Sequence, residues 1–206
     1  MFGTVFEKWQ EMSMTGRHMK LEYSGDSELM REMALGRKDA LNTIMDRYMV
    51  MVARISYRIL CDRQDGEDIT QKVFMKIWKD ASMYDGRDLV YVWICRITCN
   101  LCMARMRRRR LLDLLSIRPS VYEESAPASV SFYEDFITKE TWAVYCRASQ
   151  ELSSRQRMVF VLSELEKLSI FDVRSITGMT TEQIKENLGI ARSKVRQELE
   201  IYGTVR

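Results

Sequence analysis

Residues Asp65–Trp78 read DGEDITQKVFMKIW. Ile69, Val73, Phe74, Ile77 and Trp78 recur at threes and fours, the period of one helix face, while Asp68, Gln71, Lys72, Met75 and Lys76 fall on the other. The segment is therefore a helix with one apolar and one polar side. Asp65 stands at its start, where a carboxylate caps free amides and favours the positive dipole end, and the helix is expected over Glu67–Asp80.

The same period continues on both sides. From Ser27 the residues Leu29, Met33, Leu41, Ile44, Met45, Tyr48, Val52, Ile55 and Ile59 follow it, and Gly36 divides them into a short and a long helix. Ser82–Asp88 (SMYDGRD) is a loop built on Asp85 and Gly86. A helix over about Leu89–Leu112 then carries an apolar stripe of Leu89, Trp93, Ile97, Leu101 and Ala104. Ser116–Ser131 holds both prolines and reads as a linker. Helical segments follow at about Tyr133–Gln150, Ser153–Leu168, Ser169–Thr177 and Thr180–Tyr202, the last two joined by Gly178. The expected fold is all-α: two small helical domains joined by a flexible linker. The boundaries are a loosely ordered lead (1–26), a first domain (27–112), the linker (113–131) and a second domain (132–206).

Composition agrees. With 46% hydrophobic and 30% charged residues the chain can bury cores, and two prolines among 206 residues favour helices. Net charge is only +3, but Leu89 to Leu112 has six arginines and no acidic residue, the electrostatic footprint of nucleic-acid binding. No apolar run approaches the ~20 residues of a membrane helix, and Glu7, Lys8 and Glu11 interrupt the N-terminus as no signal peptide would. A cytoplasmic protein, not membrane-embedded, is expected. Five cysteines fit no disulfide framework and imply reduced thiols. Cys95, Cys99 and Cys102 share one helix face, where three thiolates would suit zinc or oxidant sensing. Small core residues are the better reading, and no metal site and no cofactor are expected.

The C-terminal pair has helix-turn-helix form. Ile170, Val173 and Ile176 lead to Gly178, and Thr180–Thr181 open a second helix anchored by Ile184 and Leu188. Its N-terminal side chains Thr180, Thr181, Glu182, Gln183, Lys185 and Glu186 suit base edges, and Arg192, Lys194 and Arg196 suit phosphates.

Taken together, three segments resemble one family. Asp65–Trp78 resembles the region 2 signature D-A-E-D-L-x-Q-E-x-F-x-x-x-W of sigma factors. Trp93–Arg110 (WICRITCNLCMARMRRRR) resembles the W-L-x-R-I-A-R-N-x-x-x-D-x-x-R-R that follows it. Leu152–Arg192 is similar to region 4. Their order and spacing, over about Ser27–Tyr202, resemble the extracytoplasmic-function (ECF) group of the sigma-70 family, which has regions 2 and 4 alone.

The resemblance implies transcription initiation: binding bacterial RNA polymerase core, then recognising and melting promoter DNA, with an anti-sigma factor as a further partner and no small-molecule substrate. It implies that Asp65, Asp68, Gln71, Lys72 and Met75 dock on a coiled coil of the polymerase. It gives the downstream (minus-ten) element to Tyr84, Asp85, Arg87 and Asp88 in the loop, and to Arg96, Asn100, Arg105, Arg107, Arg108, Arg109 and Arg110 on the next helix. There a captured base and held phosphates open the duplex. The upstream (minus-thirty-five) element falls to the second helix of the helix-turn-helix. This sequence departs from the pattern at Lys72, where an acid is usual, at Cys99, where arginine is common, and in a loop about one residue shorter. Arg174 replaces a small residue between the two helices, so it either snorkels outward or the helices sit apart.

The alternative is a helix-turn-helix regulator that acts without polymerase; it leaves Asp65–Arg110 without a role. No phosphate-binding glycine loop, metal-ligand set or nucleophile motif supports an enzyme. The acidic clusters Asp65, Glu67, Asp68 and Glu164, Glu166 read as surface caps and solvated charges.

Overall fold

The computed structural model describes residues 25–115 and 139–204, and every regular element among them is helical. Residues 1–24 of the expected lead and the linker core at 116–131 lie outside the described residues, while Asp26, expected in the lead, already begins the first helix.

The N-terminal half is a four-helix arrangement. Helix α1 (Asp26–Ala34) begins after Gly25, and the left-handed Gly36 (φ 83°) turns the chain into α2 (Lys38–Leu60). Ala40, Ile44, Tyr48, Val52, Ile55 and Ile59 form the buried stripe of α2. Asp26 is buried too, held by Arg47 and the Tyr48 hydroxyl, so α1 is tied to α2 by a charged bond as well as by Met30 and Met33.

Helix α3 spans Arg63–Asp80, one turn longer than its sequence suggests. Asp62, in extended conformation, caps it by accepting the Asp65 N–H at 2.8 Å. Asp65 is thus the third residue of the helix, and its carboxylate is turned inward. A single 3-10 turn (Ala81–Met83) and the loop around Gly86 lead to α4 (Val90–Leu114), which buries Ile94, Cys95, Thr98, Cys99 and Cys102 against α2 and α3.

In the C-terminal half, α5 (Lys139–Gln150) is followed by α6 (Ser154–Phe160), opened by a reciprocal Ser153–Gln156 capping box. The expected single helix over Ser153–Leu168 instead widens into a π turn at Val161–Leu165 and stops at left-handed Lys167. Helices α7 (Ile170–Thr177) and α8 (Thr181–Thr204) follow.

The two halves pack on one another, and their buried side chains form one continuous apolar cluster. Tyr57 stacks on Trp142 at 4.6 Å between ring centroids, and the Tyr145 hydroxyl donates to the Arg58 carbonyl at 2.9 Å. Across the same boundary, Arg54 grips Glu166 through Nε (3.1 Å) and Nη2 (2.5 Å), while Arg58 adds a bond at 3.0 Å. The Glu166 side chain is only 3% exposed. Glu166 is therefore no solvated charge but the centre of a buried clamp; burying a carboxylate is tolerable because two guanidiniums neutralise and hydrogen-bond it. Glu164 is likewise no solvated charge, being 13% exposed and bonded by Arg192.

Candidate nucleic-acid interface

Helix α3 presents the polar face expected of it. Its apolar residues Ile69, Val73, Phe74 and Ile77 are buried, which forces Gln71, Lys72, Met75 and Lys76 outward into solvent. Met75 is 72% exposed. Asp68 is half-exposed on the edge of this face, 3.6 Å from Arg105.

Asp65 does not belong to that face. Its side chain is 8% exposed and is bonded by both Arg105 and Arg109. Arg109 also reaches Asp62 at 2.8 Å and the Leu60 carbonyl at 3.3 Å. Burial pushes the Asp65 carboxyl up, but hydrogen bonds and charge from Arg105 and Arg109 prevail and hold it below the ordinary carboxylate value. Asp62, Asp65, Arg105 and Arg109 thus staple the start of α3 to the last turns of α4. Asp62 went unremarked in the sequence, although an Asp three residues ahead of another acid is a cap signal.

The arginines of α4 divide in two. Arg107, Arg108 and Arg110 are exposed, as is Asn100. Arg105 and Arg109 serve the staple. Arg96 bonds Asp88 at 2.5 Å and donates to the Ser175 carbonyl, at the end of α7, at 2.7 and 3.0 Å. The C-terminal half therefore sits over the N-terminal part of this cationic helix.

In the loop, Asp85 and Arg87 are exposed, and the Asp85 carboxylate accepts the Arg87 N–H at 3.0 Å. Tyr84 is half-buried, edge-on to Trp93 at 5.7 Å, with its hydroxyl donating to the Asp88 carbonyl at 2.7 Å. Both residues that bond Asp88, Tyr84 and Arg96, are expected DNA contacts, so the loop and α4 form one patch.

At the C-terminal end, Gly178 (φ 70°) makes the tight turn between α7 and α8. Thr180 caps α8, its Oγ1 accepting the Gln183 N–H at 3.2 Å while Gln183 reaches back to the Thr180 N–H at 3.0 Å. Ile184 is buried and anchors the helix, leaving Glu182, Gln183, Lys185 and Glu186 exposed in the first turns, with Thr181 half-exposed. Arg174 is exposed, so it points outward and the helices are not forced apart. Arg192 and Lys194 reach back onto the fold, to Glu164 (2.8 Å) and the Glu151 carbonyl (2.7 Å); Arg192 and Arg196 are both exposed.

Cys95, Cys99 and Cys102 lie wholly within the core. Burial raises all three thiols, Cys102 to about 12. Among the described residues no cluster of His, Cys, Asp or Glu has metal-binding geometry, and no helix is long and apolar enough to cross a membrane.

Comparison with known proteins places this geometry. A family model described as sigma-70 region 2 matches residues 44–111. The ECF RNA polymerase sigma factor SigW of Bacillus subtilis is 22% identical over 184 residues, covering 82% of this chain and 94% of that protein. The ECF RNA polymerase sigma-E factor of Escherichia coli K12 is 24% identical over 181 residues, covering 85% and 94%. Among solved structures, CnrH in complex with the cytosolic domain of CnrY has TM-score 0.62 at 19% identity, covering 86% of this chain and 99% of that one. The sigma factor RpoE in complex with the anti-sigma factor NepR from Bartonella quintana has TM-score 0.61 at 19% identity, covering 78% and 96%.

Proposed function

We infer that this chain belongs to the ECF group of the sigma-70 family and acts as a sigma factor: it binds core RNA polymerase, recognises promoter DNA and melts it. The observation that carries this reading is the side-by-side placement of an exposed polar face with a bare methionine on α3 and a cationic helix, α4, on a chain that also ends in a helix-turn-helix. A regulator that only bound duplex DNA would need the last of these alone.

The division of labour we propose follows the side chains. Asp68, Gln71, Lys72 and Met75 dock on polymerase through helix-on-helix packing. Tyr84, Asp85, Arg87 and Asp88 take the unstacked downstream bases, while Asn100 and the exposed arginines Arg107, Arg108 and Arg110 hold the phosphates of the opened strand. Thr180, Thr181, Glu182, Gln183, Lys185 and Glu186 enter the upstream major groove, and Arg196 supports them on the backbone. Asp65, Arg105 and Arg109 act indirectly, by fixing α3 against α4. The chain contributes binding energy to the open complex and performs no covalent step.

The closed packing of the two halves is then a resting arrangement. Elements at minus ten and minus thirty-five lie about 25 base pairs apart, roughly 85 Å along DNA at 3.4 Å per step. A compact chain of this length is only about 45 Å across by size scaling. Reading both elements at once requires the halves to separate, which also releases Arg96 from Ser175. The two solved relatives described above were both captured in complexes, one with an anti-sigma factor, and we propose that a partner of that kind holds this chain closed in the cytoplasm.

The test is run-off transcription from a genomic library with purified core polymerase. The expected result is a set of start sites that appear only when this protein is added. A chain that neither binds core enzyme nor starts transcription on any template would overturn the reading.

A further inference from the structure

The boundary between the halves contains two cysteines with no part in the function proposed so far. Cys61 ends α2 in the left-handed region (φ 50°), an unusual place for a residue with a side chain, and its thiol lies 3.3 Å from the Ser149 hydroxyl on α5. Helix α5 turns one face to this spot. Trp142, Tyr145, Cys146 and Ser149 share it at helical spacing: Trp142 stacks on Tyr57, Tyr145 bonds the Arg58 carbonyl and Ser149 meets Cys61. Cys146 lies within the same patch: the Ser149 hydroxyl that meets the Cys61 thiol also donates to the Cys146 carbonyl at 2.7 Å, and the two thiols are neighbours. Two sulfurs 85 positions apart in sequence (146 − 61) thus meet across the boundary.

We propose that Cys61 and Cys146 form a reversible disulfide that fastens the two halves of the chain together. A disulfide requires sulfurs about 2.05 Å apart, and two cysteines that share Ser149 as a neighbour reach that distance by turning their side chains toward one another. The pair also differs from the other thiols. Both are half-buried, at the rim of the boundary, whereas Cys95, Cys99 and Cys102 are sealed in the core. Burial tends to raise Cys61, but the bond to Cys146, the positive charges of Arg157 and Arg109 and the Ser149 hydroxyl outweigh it and hold the thiol below its ordinary value. Cys146 is raised, chiefly because it gives its hydrogen to Cys61. Arg157 and Arg109 thus supply positive charge beside the pair, which favours the thiolate that starts a disulfide.

The oxidant is a peroxide. The Cys61 thiolate attacks one oxygen of hydrogen peroxide; an S–O bond forms, the O–O bond breaks and hydroxide leaves, taking up the proton that Cys61 had released. The Cys146 sulfur then attacks the sulfenic sulfur; the S–S bond forms, the S–O bond breaks and water leaves with the Cys146 proton. Two thiols and one peroxide yield one disulfide and two waters, with two electrons passing from sulfur to oxygen, and a dithiol reductant reverses the result.

The consequence rests on the proposed function: a chain stapled from the end of α2 to α5 cannot open to span a promoter. Full-length protein is treated with hydrogen peroxide and mapped without reduction. A cross-linked peptide pair holding Cys61 and Cys146, lighter by two hydrogens, is expected, with Cys95, Cys99 and Cys102 still free. Cys61→Ser and Cys146→Ala each abolish it. Oxidation is expected to lower run-off transcription at least tenfold, dithiothreitol to restore it, and either variant to stay active in peroxide. No cross-link, or one joining other cysteines, overturns the disulfide. A cross-link that leaves transcription unchanged overturns the fastening. If reduced protein starts no transcription at all, it is the sigma-factor reading that falls, while the peptide map still decides the disulfide.

Discussion

Helices α3 and α4 lie side by side, and both carry residues expected to meet a partner. On α3, Gln71, Lys72 and Met75 stand in solvent, while on α4 three of six arginines, Arg96, Arg105 and Arg109, are already bonded within the chain. The difference follows from what each helix must bury. Helix α3 has a clean apolar side, so its polar side is left over for contact. Helix α4 is central, packed against α2, α3 and the C-terminal half, and its charged residues are drawn into holding those neighbours. A cluster of like charges in sequence therefore mixes side chains left in solvent with side chains that hold the fold together, and tertiary packing separates them.

Six variants test that separation, beginning with the largest expected effect. Asp65→Asn strips the carboxylate from two largely buried guanidiniums; breaking such a network costs about 3 kcal/mol, or roughly 10 °C in thermal midpoint for a chain of this size. Asp68→Asn, three residues on and half-exposed, should change stability by less than about 0.5 kcal/mol. Equal losses in thermal unfolding would erase the distinction between the inner and outer acids. The pH dependence carries the same information. The folded Asp65 carboxyl titrates below its unfolded value, so its contribution is fully present above about pH 4 and fades as pH falls further. The stability gap between wild type and Asp65→Asn should shrink on acidification below that point, as read by denaturant titrations across the range.

Met75→Asp should leave the thermal midpoint unmoved but weaken binding to core polymerase by about 2 kcal/mol, roughly thirtyfold, as expected for an anchor at the centre of a contact. A fall in stability with unchanged affinity would mean that α3 does not present a docking face. On α4, replacing Arg107, Arg108 and Arg110 together by alanine should flatten the salt dependence of single-stranded DNA binding by about 2 in the log–log slope, at about 0.7 for each phosphate no longer neutralised. Arg109→Ala should instead lower the melting temperature. If the triple variant melts early and Arg109→Ala alone loses the salt dependence, the two classes of arginine have been assigned backwards. Lys185→Ala should give the smallest effect on DNA binding, about 1 kcal/mol confined to a few upstream base pairs, measured by binding to a panel of promoter variants.

Much of the local structure was legible in the residues. Gly36 and Gly178 were read as breaks and both adopt positive φ; Thr180 was read as a helix opening and caps one. The apolar stripe Ile69–Val73–Phe74–Ile77 located both the buried and the exposed sides of α3. What escaped notice had its cause elsewhere in the chain. The start of α3 was misplaced by a turn because Asp65 looks like a cap, and only the arrival of Arg105 and Arg109, forty and more residues later, shows why it faces inward. Glu166 passed for a solvated charge because nothing within several residues of it pairs with it; its arginines lie more than a hundred residues back.

The sequence by itself determined the helices, their polar and apolar sides and the turns between them, because these depend on a period of 3.6 residues and on backbone preferences that act within a few positions. Tertiary structure alone decided which charges are free to meet a partner, that the two halves close over Arg96, and that Cys61 meets Cys146. Those outcomes depend on long-range packing, in which a side chain's fate is set by whatever distant group buries it.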